Sequence, residues 1–457
     1  MCSSDLMTTI DRDRLASLRA REETRFAETH PRSAALAEEA RDSLLGGVPM
    51  NWMARWPGRF PVFADHASGA HITDVDGNEY VDLCLGDTGA MTGHAPQASV
   101  DAIDRRARAG ISMMLPTDDA AWVGREMTRR FGLVRWQFAT SATDANRFAL
   151  RIARALTGRP KVLVFNWCYH GTVDETLVTL GSDGVVHPRD GHIGPPVDPA
   201  LTTRVVEFND LDALERALAV GDVACVLAEP AMTNIGIIHP DPGYHERLRE
   251  ITRRTGTLLI IDETHTICAG PGGYTAAYGL EPDLLTIGKP LAGGIPAAAF
   301  GLSAEVAARI VDAATGDDCD VSGIGGTLAG NALTLATMRA TLGEVLTEEA
   351  FARMIPLAAR WADGVQRVID ERALPWSVTQ LGARAEYWFL PERPRDGGTA
   401  AAGVDHELDA FMHLHAINRG ILLTPFHNMA LVSPSTTEAD IDRHTAVFSE
   451  AVDELLG

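Results

Sequence analysis

Two residues of opposite charge stand at the ends of two apolar runs. Asp262 closes the run Leu258, Leu259, Ile260 and Ile261, and Lys289 follows a second run, residues 284 to 287, and Gly288. Continuous apolar runs of this length read as strands buried on both faces of a parallel sheet. Ligands of open α/β sheets lie at the carboxyl ends of such strands. An amine there can form a Schiff base with an aldehyde cofactor, and a buried carboxylate can keep a pyridine nitrogen protonated, so that the ring withdraws electrons. Pyridoxal phosphate (PLP) needs both groups. Taken alone, the same pair also reads as a solvated loop lysine and a capping aspartate.

The elements around the pair follow a strand and helix alternation from residue 136 to 300, which predicts a doubly wound, mostly parallel sheet. A strand at 136 to 139 runs into Thr140, Ser141, Ala142, Thr143 and Asp144, and then into a helix with Ala145, Phe148, Ala149, Ile152 and Ala153 on one face. A small-residue turn entering a helix N-terminus suits a phosphate, because free N–H groups and the helix dipole converge there. Capping by Ser141 alone is the plainer reading. The next strand, 161 to 165, leads to Tyr169 and His170, and the strand at 223 to 227 leads to Glu229 and a loop with Asn234. The polar stretch 172 to 200 exceeds ordinary connection lengths and suggests an active-site flap.

The run of Asp262, Glu263, Thr264 and His265, then GPGG, then EPDLLTIGKPLAGG, resembles the cofactor signature of the class III aminotransferases, nearest the glutamate-1-semialdehyde aminomutase and β-amino-acid transaminase branch. The hairpin pattern ITDVDGNEYVDL and the Tyr-His-Gly triplet at 169 to 171 extend the resemblance, which covers roughly residues 40 to 450. It implies PLP fold type I: an α/β large domain with a mostly parallel doubly wound sheet, plus a smaller α+β domain. By the resemblance, Lys289 carries the cofactor, Asp262 binds its ring nitrogen, and Thr264 and Tyr169 cover the two ring faces. Ser141, Ala142 and Thr143 grip the phosphate, and His170, Glu229 and His265 lie near the ring. Thr327 reaches the cofactor of a second subunit, so the active sites are shared in a homodimer. Ala142 and Asp144 depart from the usual Ser-Gly-Thr-Glu, and His265 stands where glutamine or methionine is frequent.

The expected boundaries are an N-terminal segment at 1–75, a PLP domain at 76–330 and a small domain at 331–457. Residues 48 to 60 hold two tryptophans and two arginines, so Trp52 and Arg55 are candidate substrate contacts, the arginine through a two-pronged bond to a carboxylate. His427, in the loop 424 to 428, is a candidate specificity residue. The expected activity is ping-pong transfer of an amino group between an amino acid or amine and a keto acid or aldehyde. An aminomutase, or an amino-acid racemase or epimerase, would use the same parts.

Composition narrows the partners. With 46% hydrophobic residues and a net charge of −22, the chain can build a large core and repels nucleic acid and anionic membranes. Six cysteines without ligand spacing argue for a reducing cytoplasm and against a metal centre or disulfide frame. Residues 1 to 6 read as a leader, with Met7 a plausible start. A nucleotide-dependent oxidoreductase would need a Gly-x-Gly-x-x-Gly turn, and none follows the first strand.

Overall fold

The computed structural model describes residues 10–315 and 322–457. The expected leader, the start at Met7, and Cys2 and Cys319 lie outside these residues. The chain divides into one unit of Met1–Pro96, Glu349–Arg393 and Gly403–Gly457, and a second of Gln97–Glu348 and Pro394–Ala402. The boundaries expected after 75 and 330 therefore fall inside the units. Strand Glu79–Asp82 pairs with His71–Asp74 and Ile421–Leu422 of the first unit, and helix Ala332–Ala340 packs on Gln97–Ala109 and Asp118–Phe131 of the second.

The second unit is built on a seven-stranded sheet. Its order is Arg135–Ala139, Ala298–Leu302, Leu284–Ile287, Leu258–Asp262, Val223–Ala228, Lys161–Phe165 and Thr203–Val206. Ala298–Leu302 runs antiparallel to both neighbours, and the other six strands are parallel. Val223–Ala228 and Leu258–Asp262 are buried along their whole length, as the continuous apolar runs require. Both faces are covered. Val162 and Val164 share a core cluster with Phe148 and Ala149 of helix Ala142–Thr157, while Phe165 turns to Tyr244 of helix Tyr244–Thr255, with ring centroids 6.3 Å apart. The stretch 172 to 200 carries a short antiparallel pair, Val178–Leu180 with Val186–Pro188, rather than an uninterrupted loop.

The first unit holds two smaller sheets, one of Ala64–Ser68, His71–Asp74, Glu79–Asp82 and Ile421–Leu422, the other of Ser377–Leu381, Arg384–Trp388 and Met429–Leu431. Helices Arg12–Thr29, His406–Ile417 and Glu438–Leu456 pack together and share a charge cluster. Glu22, 1% exposed, accepts from Arg21 Nη2 at 2.7 Å, Asn418 Nδ2 at 2.8 Å and Arg419 Nη1 at 3.1 Å. Burial pushes the Glu22 carboxyl up, and these donors outweigh it and bring its pKa down to about 2. Among the described residues no helix is long and apolar enough to cross a membrane.

Candidate active site

The parallel strands leave Ser141, His170, Glu229, Asp262 and Lys289 beyond their carboxyl ends, and a network fixes the acid among them. Asp262 Oδ2 accepts from His170 Nδ1 at 2.9 Å and from Asn146 Nδ2 at 2.9 Å, and Oδ1 accepts from the Thr264 N–H at 3.1 Å. Asn146 is held in turn: its amide also donates to the His170 carbonyl at 3.1 Å, and its Oδ1 accepts from Thr286 Oγ1 at 2.6 Å. Thr286 lies opposite Asp262 on the neighbouring strand. Strand register, helix face and loop turn therefore converge on one carboxylate.

That convergence decides its charge. Burial alone would raise the Asp262 pKa; the hydrogen bond and charge of His170 outweigh it and hold the group down to about 2. Burial likewise disfavours a charge on His170, but the Cys168 sulfur and the Asp262 carboxylate raise it to about 10. Glu229, 4% exposed, goes the other way. Desolvation lifts it to about 7, against the opposing pull of His170 and Thr233, and its Oε1 makes no hydrogen bond among the described residues. One acid in this pocket is fixed as a carboxylate and its neighbour titrates near neutrality.

Lys289 leaves Leu284–Ile287 through Gly288 and takes a left-handed φ of 50°, unusual for a residue with a side chain. Its Nζ lies 2.6 Å from His265 Nε2. Gly288 rests on the turn that enters helix Ala142–Thr157, where a Cβ would stand 3.0 Å from the Ala142 Cβ. The lysine turn and the candidate phosphate turn are thus packed together. Ser141 caps that helix, accepting from the Asp144 N–H at 3.2 Å, and Asp144 folds back to take the Thr140 and Ser141 hydroxyls at 2.9 and 3.0 Å. Thr143 Oγ1 accepts from the Thr172 N–H at 3.1 Å. Gly171, at φ 79°, lies so near Thr143 that any Cβ would collide. Tyr169 is half-buried at the exit of Lys161–Phe165.

Thr327 lies exposed in a turn closed by the Ala329 N–H to the Gly326 carbonyl at 3.0 Å. It does not cap the following helix, which begins at Ala332 with Asn331 as its cap. The remaining candidates belong to the first unit. Trp52 and Arg55 share the short helix Asn51–Arg55, with Arg55 exposed. Trp52 meets Phe426 edge-on at 5.9 Å, which brings it to the loop of His427, and His427 Nδ1 is 3.9 Å from Glu386.

Sequence reasoning missed Asn146 and the pairing of His170 with Asp262. A signal for Asn146 was present: its i+3, i+4 and i+7 neighbours Ala149, Leu150 and Ala153 are buried apolar residues, so a polar side chain in that stripe needs partners. The residues fit PLP. An ionised, buried carboxylate suits a cationic ring nitrogen, an amine stands beyond the next strand, and Glu229 carries a buried oxygen without a protein partner. Free Cys84, Cys168, Cys225 and Cys268 are all buried.

The family model described as aminotransferase class-III matches residues 52–452. The glutamate-1-semialdehyde 2,1-aminomutase of Chloroflexus aggregans is 34% identical over 443 residues, which is 94% of this chain and 99% of that protein. A crystal structure of a glutamate-1-semialdehyde aminomutase from Pseudomonas aeruginosa PAO1 is 52% identical, with a TM-score of 0.96 over 98% of this chain and 100% of its own. A lysine-to-alanine variant of that aminomutase was crystallised in complex with PMP. An omega-transaminase from Sphaerobacter thermophilus is 29% identical, with a TM-score of 0.85 over 93% of this chain and 98% of its own. This chain is a member of the class III aminotransferases and a PLP-dependent enzyme of fold type I.

Proposed function

We propose that this enzyme is an aminomutase, exchanging an amino group and a carbonyl between adjacent carbons of one small substrate. The observation that carries this reading is the near full-length similarity to glutamate-1-semialdehyde aminomutases, at 34% and 52% identity. It favours the aminomutase alternative over the ping-pong transamination that the sequence put first. The substrate class is a 2-amino aldehyde of the glutamate-1-semialdehyde type, and the product its 1-amino-2-oxo isomer. No oxidant or second amine is consumed.

PLP, when bound, supplies a carbonyl for a lysine or substrate amine and an electron-withdrawing ring. Lys289 would be its covalent anchor, and its Nζ, once freed, would serve as the base that takes a proton from a substrate carbon and returns one to it. Asp262 keeps the ring nitrogen protonated, and its own charge is maintained by His170 and Asn146. Ser141, Ala142 and Thr143 are the candidate phosphate grip, and Tyr169 and Thr264 the candidate ring contacts. Trp52, Arg55 and His427 are the candidate substrate contacts of the first unit. A homodimer is part of the proposal: Thr327 is exposed, as are the apolar Ile111, Met114, Leu115 and Leu328 of the same unit.

The test is purified enzyme with glutamate 1-semialdehyde and no added amine or keto acid. Full conversion to the 1-amino-2-oxo isomer is expected. Conversion only when a separate amino donor and acceptor are supplied would favour transamination instead.

A further inference from the structure

We propose that His265 relays the proton of Lys289, taking it from Nζ before the amine attacks a carbonyl and delivering it to the carbonyl oxygen, which leaves as water. This rests on the reading that Lys289 carries the cofactor. The observation is the 2.6 Å contact between Nζ and His265 Nε2, a short distance for two nitrogens sharing a proton. With lysine as an ammonium, Nζ donates and Nε2 accepts, which places the neutral imidazole proton on Nδ1. In the transfer, one Nζ–H bond breaks, an Nε2–H bond forms, and the positive charge moves to the imidazole. The bonding pair left on Nζ becomes the lone pair that attacks.

Both partners are held where this can happen. Lys289 opens the turn Lys289–Ala292, whose backbone is set by Pro290 and by the left-handed φ of 50° at Lys289 itself. His265 precedes the turn Thr266–Ala269, which is tied to Glu263 by the Ile267 N–H to the Glu263 carbonyl at 3.0 Å and by Thr266 Oγ1 to Oε2 at 2.6 Å. Glu263 is fully buried and also accepts from the Tyr274 N–H at 3.0 Å. The imidazole therefore stands on an anchored backbone. Glutamine or methionine, frequent here in the resembling enzymes, cannot take up a proton, so the relay is a property of this residue.

The test follows PLP loading of apoenzyme at neutral pH by visible absorbance, in wild type, His265→Ala and His265→Gln. Borohydride reduction and peptide mapping then locate the label. The relay predicts that His265→Ala loads slower by on the order of a hundredfold, that added imidazole restores much of the rate, and that His265→Gln stays slow although its carbonyl can hold Nζ. Loading at the wild-type rate in either variant overturns the proposal. So does a slow His265→Ala that imidazole does not restore while His265→Gln loads normally, because that pattern is positioning without proton transfer. A label on a residue other than Lys289 would instead overturn the anchor assignment, which separates the two failures.

Discussion

Two buried carboxylates, one in each unit, are both held ionised with a pKa of about 2, each with an asparagine amide among its donors but with different cations beside it. Glu22 accepts from Asn418 and from two arginines, Arg21 on its own helix and Arg419 in the turn after His406–Ile417, with Arg419 Nε bound on to Glu450 at 2.7 Å. Among the described residues, the donors to Asp262 are an imidazole, an amide and a backbone N–H, with no arginine. A guanidinium cannot lose its proton, so the cations beside Glu22 keep one charge state and serve to clamp helices. An imidazole can, so the charge of the Asp262 cluster is adjustable. On the proposed function, the difference separates a charge kept for the fold from a charge kept for chemistry.

Replacements at the two acids should therefore move different quantities. The largest effect is expected for Asp262→Asn: turnover falls by about a hundred- to a thousandfold, on the order of 3 to 4 kcal/mol of barrier. Stability by urea unfolding changes by only about 1 kcal/mol, because His170 can discharge and keep a neutral partner. An equal loss of stability and turnover would erase the distinction. Glu22→Gln should show the reverse, with about 3 kcal/mol of unfolding free energy lost, since Arg419 and Arg21 stay charged and lose their buried carboxylate, keeping only Glu450 and Glu454 as carboxylate partners among the described residues. Turnover per folded molecule is unchanged.

Asn146→Ala sharpens the comparison. It removes the link between Asp262, the His170 carbonyl and Thr286, and turnover should fall by roughly tenfold, or about 1.4 kcal/mol, with Asp262 still ionised. A pH series separates the acids by sign. Glu22 and Asp262 have folded pKa values below their unfolded ones, so their stabilisation is full above about 4.5 and is lost as pH falls toward about 2. Glu22→Gln should flatten that acid limb in urea titrations. Glu229, raised to about 7, has the opposite sign: stability falls as pH rises from about 4.5 through 7. Glu229→Gln should remove that decline and leave the acid limb intact.

What could be read from the sequence follows the same division. The central strands were legible because burial on both faces makes Val223–Ala228 and Leu258–Asp262 continuous apolar runs. The edge strand Thr203–Val206 and the antiparallel Ala298–Leu302 were not, since the first is short and polar at its start and the second is rich in alanine and glycine. The strand exits that carry Asp262 and Lys289 were legible because each follows a continuous apolar run. Asn146 was hidden within a helical stripe, and the partnership of His170 with Asp262 spans two strand exits that only the sheet order brings together. The domain boundaries shifted because a strand and a helix took partners distant in sequence.

The most direct measurement is reduction of the PLP-loaded enzyme with borohydride, followed by peptide mapping and by the visible spectrum of Asp262→Asn. The account predicts a single pyridoxyl label on Lys289 and a spectrum altered by replacing the acid. A label on another lysine, or a spectrum indifferent to residue 262, would contradict it.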